Sequence, residues 1–249
     1  MNMIYVTGDT HGDFSRFSLD AFPEQNTMTT DDYMIICGDF GGIWCGDERD
    51  DEALDVLEHL PFTVLFVSGN HENFDALVSY PVEEWHGGKV QFIRSNVIHL
   101  MRGQVFNIGG NTFFTMGGAA SHDIANGILE PDNPDFEKKY WKMRHLGGMF
   151  RINHYSWWKE EMPSDIEYEE ARQNLDAYDW SVDYIITHCA PNSVIDILSR
   201  GFYDHDRLTN FLEMILQKTE YKHWFFGHYH DNHQIGQHTL LYEKIVQIS

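Results

Sequence analysis

Apolar runs in this chain are short, and most end at a glycine or a small hydroxyl residue followed by polar side chains able to bind a metal. Ile4-Tyr5-Val6-Thr7-Gly8 runs into Asp9-Thr10-His11, Tyr33-Met34-Ile35-Ile36-Cys37-Gly38 into Asp39, and Val64-Leu65-Phe66-Val67-Ser68-Gly69 into Asn70-His71-Glu72. Tyr184-Ile185-Ile186-Thr187 stops at His188, and Trp224-Phe225-Phe226-Gly227 at His228-Tyr229-His230. Unbroken apolar runs of this length with glycine at the end read as buried strands. Five strands would each deliver donors at the C-terminal end.

The stretches between them predict helices at Phe14–Ala21, at Glu48–Leu60, where Pro61 stops the pattern, and opening near Asn73. Strands joined by helical crossovers lie parallel, so Asp9, Asp39 and Asn70 are expected on one edge of a sheet. From Val90 the pattern changes to short strands with tight turns, at Val90–Ile93, Val97–Met101, Val105–Ile108 and Thr112–Met116. This predicts an antiparallel meander that either begins a second sheet or extends the first. Residues 124–155 hold Pro131 and Pro134 and show no clear period, so they are expected to be an insertion or lid. Beyond it the pattern predicts a helix at Ile166–Tyr178, an amphipathic helix at Asp206–Gln217, and short closing strands near Leu240–Tyr242 and Ile245–Ile248. No linker-like stretch interrupts the 249 residues, and one domain over 1–249 is expected.

Charge narrows the partners. Seventeen Lys and Arg against thirty-nine Asp and Glu leave a net charge of −22, which repels polyanions and argues against general nucleic-acid or membrane-surface affinity. The three cysteines, Cys37, Cys45 and Cys189, are odd in number and unpaired in spacing, which suits reduced thiols in the cytoplasm. The first strand begins within a few residues of Met1, so no signal peptide is expected, and no apolar run is long enough to span a bilayer.

A single Asp-x-His is expected by chance in a chain this rich in Asp and His. A second one, Asp231-Asn232-His233, follows no apolar strand and reads as surface; Gly87-Gly88-Lys89 is followed by Val90 and is no phosphate-binding loop. The surviving set is Asp9, His11, Asp39, Asn70, His188, His228 and His230. Carboxylate, amide and imidazole donors without thiolate suit Mn, Fe or Zn. Seven donors exceed one tetrahedral ion and fit two divalent ions if one carboxylate is shared, an arrangement suited to in-line displacement at phosphorus. Two such ions against two carboxylates leave a positive pocket in an otherwise acidic chain.

Taken in order, Gly8-Asp9-Thr10-His11-Gly12, Gly38-Asp39, Gly69-Asn70-His71-Glu72, His188 and Gly227-His228-Tyr229-His230 resemble the motifs of the calcineurin-like metallophosphoesterases. The resemblance implies an α/β fold, an αββα four-layer sandwich of two mixed β-sheets flanked by helices. It implies one metal on Asp9, His11, Asp39 and His230 and another on Asp39, Asn70, His188 and His228. Asp39 would bridge them, a hydroxide between the ions would attack phosphorus, and His71 would be the general acid. The substrate would be a phosphate ester. The same site could serve a phosphodiesterase or nuclease, or survive in a catalytically silent binding scaffold, although retention of all seven donors and His71 argues against the last.

One stretch departs from the family's protein Ser/Thr phosphatases: Phe40-Gly41-Gly42-Ile43-Trp44 stands where those have Asp-Arg-Gly. Arg151 and Asp123 are candidate substrate-binding substitutes, a salt bridge between surface groups being the alternative. The stretch from Gly117 to Asp123, with Arg151 ahead of Ser156-Trp157-Trp158, looks like a feature of a bacterial branch. The run from Lys138 to Arg151 carries five Lys and Arg and no acid, the clearest mark of an approach route for an anion.

Overall fold

The computed structural model describes residues 2–248. The first half of the chain forms β1 (Ile4–Thr7), β2 (Tyr33–Ile36), α1 (Glu48–Glu58), β3 (Thr63–Phe66), α2 (Phe74–Leu77), β4 (Val82–Trp85), β5 (Gly88–Arg94), β6 (Val97–Leu100), β7 (Gln104–Ile108) and β8 (Asn111–Met116). The second half forms β9 (Ile128–Leu129), α3 (Phe136–His145), β10 (Arg151–Ile152), α4 (Asp165–Ala177), β11 (Tyr184–Thr187), α5 (Asn192–Ser199), α6 (Arg207–Lys218), β12 (His223–Phe226), β13 (His233–Ile235), β14 (His238–Leu240) and β15 (Val246–Gln247).

Side chains on a strand alternate between its two faces, and here both faces are apolar. In β1 to β3 and the residues just past them, Ile4, Val6, Tyr33, Ile35, Leu65 and Val67 point one way, into a core shared with Phe106, Ile108, Phe113, Ile186 and Phe225 of a second sheet. Tyr5, Met34, Ile36, Val64 and Phe66 point the other way, onto Leu54 and Leu57 of α1 and the phenylalanines Phe17, Phe22 and Phe62. The second sheet repeats the scheme, with Phe114, Ile185, Trp224 and Phe226 facing α4, α5 and α6. Two-sided burial of both sheets therefore produces four layers, helix, sheet, sheet, helix, as the resemblance implies.

The first sheet runs in the order β15-β1-β2-β3-β6-β5-β4 and the second β13-β14-β12-β11-β8-β7. Strands β1, β2, β3 and β6 are mutually parallel, as are β14, β12, β11 and β8, with antiparallel strands at the edges. The predicted meander is divided between the two: β5 and β6 extend the first sheet and β7 and β8 open the second.

One local expectation is corrected. Residues 14–21 form a 3-10 turn at Ser15–Phe17, followed by another at Pro23–Thr27, in place of an α-helix. Phe17 and Phe22 both pack edge-on against Phe62, at 6.0 and 5.8 Å; five residues apart on an α-helix they would point about 140° away from each other. The segment 124–155, expected to be an insertion or lid without a clear period, contains α3 and the parallel pair β9 and β10. No residue of α3 is fully buried; its one covered face is the half-buried Phe136, Tyr140 and Met143, with Tyr140 against Phe136 and Phe150. The short α5 and the exposed edge strand β4 were not anticipated either.

Candidate metal centre

All five donor-bearing strands end at the same rim of the sandwich. Loops from the first sheet bring Asp9, His11, Asp39 and Asn70, and those from the second bring His188, His228 and His230. The loops are stapled to each other: the His11 N–H donates to the Asp39 carbonyl at 2.7 Å, and the Gly227 N–H to that of His188 at 3.0 Å. Carboxylates also clamp backbone across the sheets. Asp39 Oδ1 accepts from the His71 N–H at 2.8 Å, and both oxygens of Asp9 accept from the His228 N–H, at 3.0 and 3.1 Å.

Such crowding is paid for in backbone conformation. His11, Asp39, His228 and His230 all have left-handed backbones, with φ of 47°, 45°, 72° and 49°, a region non-glycine residues seldom enter. The glycines ahead of the donors are there for approach as much as turning: a Cβ on Gly69 would lie 1.9 Å from Asp39 Oδ1, and one on Gly227 2.0 Å from Asp9 Oδ1.

Donor atoms of Asp9, His11, Asp39 and His230 lie within 4.8 Å of one another, and these four are the first metal set the resemblance implies. The Nε2 atoms of His11 and His230 are 3.0 Å apart, and His230 Nε2 is 3.2 Å from Asp9 Oδ2. The second set is looser. His188 Nε2 is 3.2 Å from Asn70 Oδ1 and 3.4 Å from Asp39 Oδ1, while the His228 ring lies 5.0 Å from that of His188.

Neighbours decide which atoms face inward. His188 Nδ1–H donates to the Cys37 carbonyl at 2.8 Å, which leaves Nε2 turned to Asn70 and Asp39. The Asn70 amide nitrogen reaches Ser121 Oγ at 3.4 Å, which leaves its carbonyl oxygen facing in, and Ser121 Oγ is fixed by the buried Glu161 at 2.6 Å. Metal-binding atoms of two carboxylates, an amide and the imidazoles thus converge, and only protons on the imidazoles lie between them. That donor set suits cations, and holding the ligands from behind in this way is how metal sites are oriented.

Charge tells the same story. Burial opposes ionisation of Asp39, yet the charge and hydrogen bond of His188 outweigh it and hold the carboxyl well below its usual range. Burial likewise disfavours charge on His188, but Asp39 and Asp9 pull the imidazole up to about 9. In the protein alone, a proton sits where the carboxylates call for positive charge. His228, away from that balance, is pushed well down by burial.

His71 stands beside the cluster, its ring 5.6 Å from that of His11, and among the described residues no hydrogen bond holds its imidazole. Burial lowers its pKa, with Asp39 opposing and the Arg151 charge adding. Trp44, at 6.5 Å, is its aromatic neighbour, while Phe40 is turned into the core against Phe66 at 4.1 Å; neither supplies the polar group missing from this stretch. Arg151 and Asp123 are brought together as a pair: Arg151 Nε lies 3.0 and 2.9 Å from the two carboxylate oxygens and Nη2 2.6 Å from Oδ2. The Asp123 carboxyl feels the charge of His71 as well as that of Arg151. His154 and Trp158 of the same region both bond Asp75, at 2.8 and 2.7 Å, which ties the insertion to the helix just after His71.

Sequence reasoning left three supports unassigned. Ser121 and Glu161 brace Asn70. Glu72, fully buried, accepts from the Phe40 and Gly69 N–H groups at 2.8 and 3.3 Å and so welds the Asp39 loop to the Asn70 loop; burial and the Asp39 charge raise its pKa to about 8. Arg16 donates to the Asp9 carbonyl at 2.7 Å and to Thr7 Oγ1 at 2.9 Å. Glu72 lies inside a motif and Ser121 inside the Gly117 to Asp123 stretch, while Arg16 and Glu161 lie in neither.

A family model described as calcineurin-like phosphoesterase matches residues 3–232. No curated protein matches the sequence. One similar solved structure, described as "Putative 5'-Nucleotidase from Staphylococcus aureus in complex with alpha-ketoglutarate", is 12% identical, with 98% of this chain and 50% of that chain covered and a TM-score of 0.45; the chain thus spans half of its length. Another solved structure is 10% identical, with 96% and 89% covered and a TM-score of 0.41.

Proposed function

As the chain belongs to the calcineurin-like phosphoesterase family, whose members are in general metal-dependent phosphoesterases, we propose that it hydrolyses phosphate esters with two divalent cations held at the rim where its sheets meet. The observation that carries the reading is the convergence of carboxylate, amide-oxygen and imidazole atoms from Asp9, His11, Asp39, Asn70, His188 and His230 at one rim. When bound, two such cations would neutralise the phosphoryl oxygens and activate water for in-line attack.

The chain's own residues do the rest. Asp39 sits between the two donor sets and would be the ligand they share, with Asp9, His11 and His230 to hold one ion and Asn70, His188 and His228 the other. The Cys37 carbonyl and the Ser121–Glu161 pair keep His188 and Asn70 in orientation. His71, on the Asn70 loop with its imidazole unbonded, is the general acid that gives a ring proton to the departing alkoxide. An anionic substrate beside the ring favours its protonated form, offsetting burial. Arg151, paired with Asp123 and near enough for its charge to act on His71, would offer its guanidinium to the phosphate.

A panel of phosphomonoesters, phosphodiesters and nucleotides assayed with Mn²⁺, Fe²⁺, Zn²⁺ and Co²⁺ tests the reading. Turnover that a chelator removes and a metal restores is expected. Absence of turnover with every ester and metal overturns it.

A further inference from the structure

We propose that a cleft beside the donor cluster receives the organic half of the substrate, and that this half is a flat, uncharged aromatic group; the inference rests on the phosphoesterase reading. The cleft, about 700 Å³, opens where His228 and His230 leave β12, and its size falls among small-molecule sites.

One wall is aromatic. Tyr229, the residue between the two histidines, stacks with Tyr203 at 5.8 Å and 14° between ring planes. Phe202 beside them is 86% exposed and Tyr203 54%, so both keep ring surface open to an incoming group. Across the cleft, Ala119, Ala120 and Ser121 are small and leave width for a ring. His122 extends that side, its ring edge-on to His228 at 6.1 Å.

Charge limits what can enter. Asp204 and Asp206 line the cleft, and no lysine or arginine does. His205, the other titratable group on that loop, is engaged by Asp196 at 3.0 Å. A second phosphate or a polynucleotide backbone would meet carboxylates with no fixed cation to offset them, whereas a neutral ring meets aromatic faces. The ester expected here is that of a nucleoside or a phenol, not of a polyphosphorylated sugar.

The test compares a nucleoside 5'-monophosphate, phenyl phosphate and glycerol phosphate on metal-loaded protein, in wild type and in Phe202→Ala/Tyr203→Ala. Wild type should prefer the aromatic esters to glycerol phosphate by about tenfold or more in kcat/KM. The double variant should cut that preference about tenfold, mainly through KM, as loss of a stacking platform does, and Tyr203→Phe should retain it. Which of the two esters leads tells a nucleoside site from an aryl site. Binding of free adenosine and phenol, followed by saturation-transfer NMR, reads the cleft without catalysis and should fade in the double variant. Hydrolysis without aromatic preference, or a preference the double variant leaves intact, overturns the cleft assignment alone. Tyr203-dependent binding of adenosine by a protein that hydrolyses no ester overturns the phosphoesterase reading and leaves the cleft standing.

Discussion

Asp39 concentrates more of the site than any other residue, since it touches both donor sets, clamps the His71 backbone and is overhung by Gly69. A shared carboxylate screens two cations from each other, so Asp39→Asn should bind fewer than two ions per chain by elemental analysis, where Asn70→Ala should weaken mainly one site. Gly69→Ala should imitate the first of these, because its Cβ cannot coexist with Asp39 Oδ1 in place. Two ions still bound in Asp39→Asn with activity intact would refute the bridging role. For His71, acid catalysis predicts that His71→Ala keeps its metals and loses on the order of 10²-fold in kcat for an alkyl leaving group, and less for nitrophenol, which needs little protonation. Equal losses with both would argue for a binding role. These residues were legible in the sequence because each lies just past an apolar strand and a small residue. Ser121 and Glu161 were not: they act on Asn70 across the fold, and a hydrogen bond over 40 or more positions leaves no local pattern; Arg16, only seven positions from Asp9, lies outside every motif.

At the level of elements, the strands of the sheet centres were readable from their unbroken apolar runs, whereas β4 and α3 were not, being exposed edge and exposed helix. Strand β6 carries a prediction of its own. His99 on it is buried and stacked on Phe66 at 4.9 Å, and Gln91, whose amide nitrogen is spent on Leu77 and Tyr80 carbonyls, takes the Nδ1–H at 2.8 Å. Burial first, and the Arg102 charge second, push the His99 pKa down to about 3. An unfolded chain takes that proton near its ordinary pKa of about 6.5, so below it the unfolded state binds more protons than the folded one. The stabilisation is complete above about pH 6.5 and is lost as pH falls toward the folded pKa. His99→Gln removes the titration while leaving a donor for Gln91. Between pH 7.5 and 5, wild type should lose ~2 kcal/mol of unfolding free energy relative to this variant, read from urea titrations. Parallel stability profiles for the two proteins would show that His99 is not the titrating group.

Across the whole molecule, an anionic substrate must approach a chain of net charge −22. Repulsion acts over a Debye length, about 10 Å at 0.1 M salt, while the attraction of the metals is confined to the rim. Helix α3 is the local exception. Lys138, Lys139, Lys142 and Arg144 are exposed on it, and among the described residues none is held in an ion pair. The segment that carries α3 is tied to the His71 side of the site through Arg151–Asp123 and through His154 and Trp158 on Asp75. Free cations on a tethered arm are placed to draw phosphate inward, and their effect should scale with the charge of the ester. Replacing Lys138, Lys139 and Lys142 with Ser should therefore raise KM for a dianionic monoester several-fold more than KM for a monoanionic diester. The change should be largest at about 0.01 M ionic strength and shrink at about 0.1 M. Identical KM values for the dianion in both proteins at both salt concentrations would leave the lysines as a solvated surface.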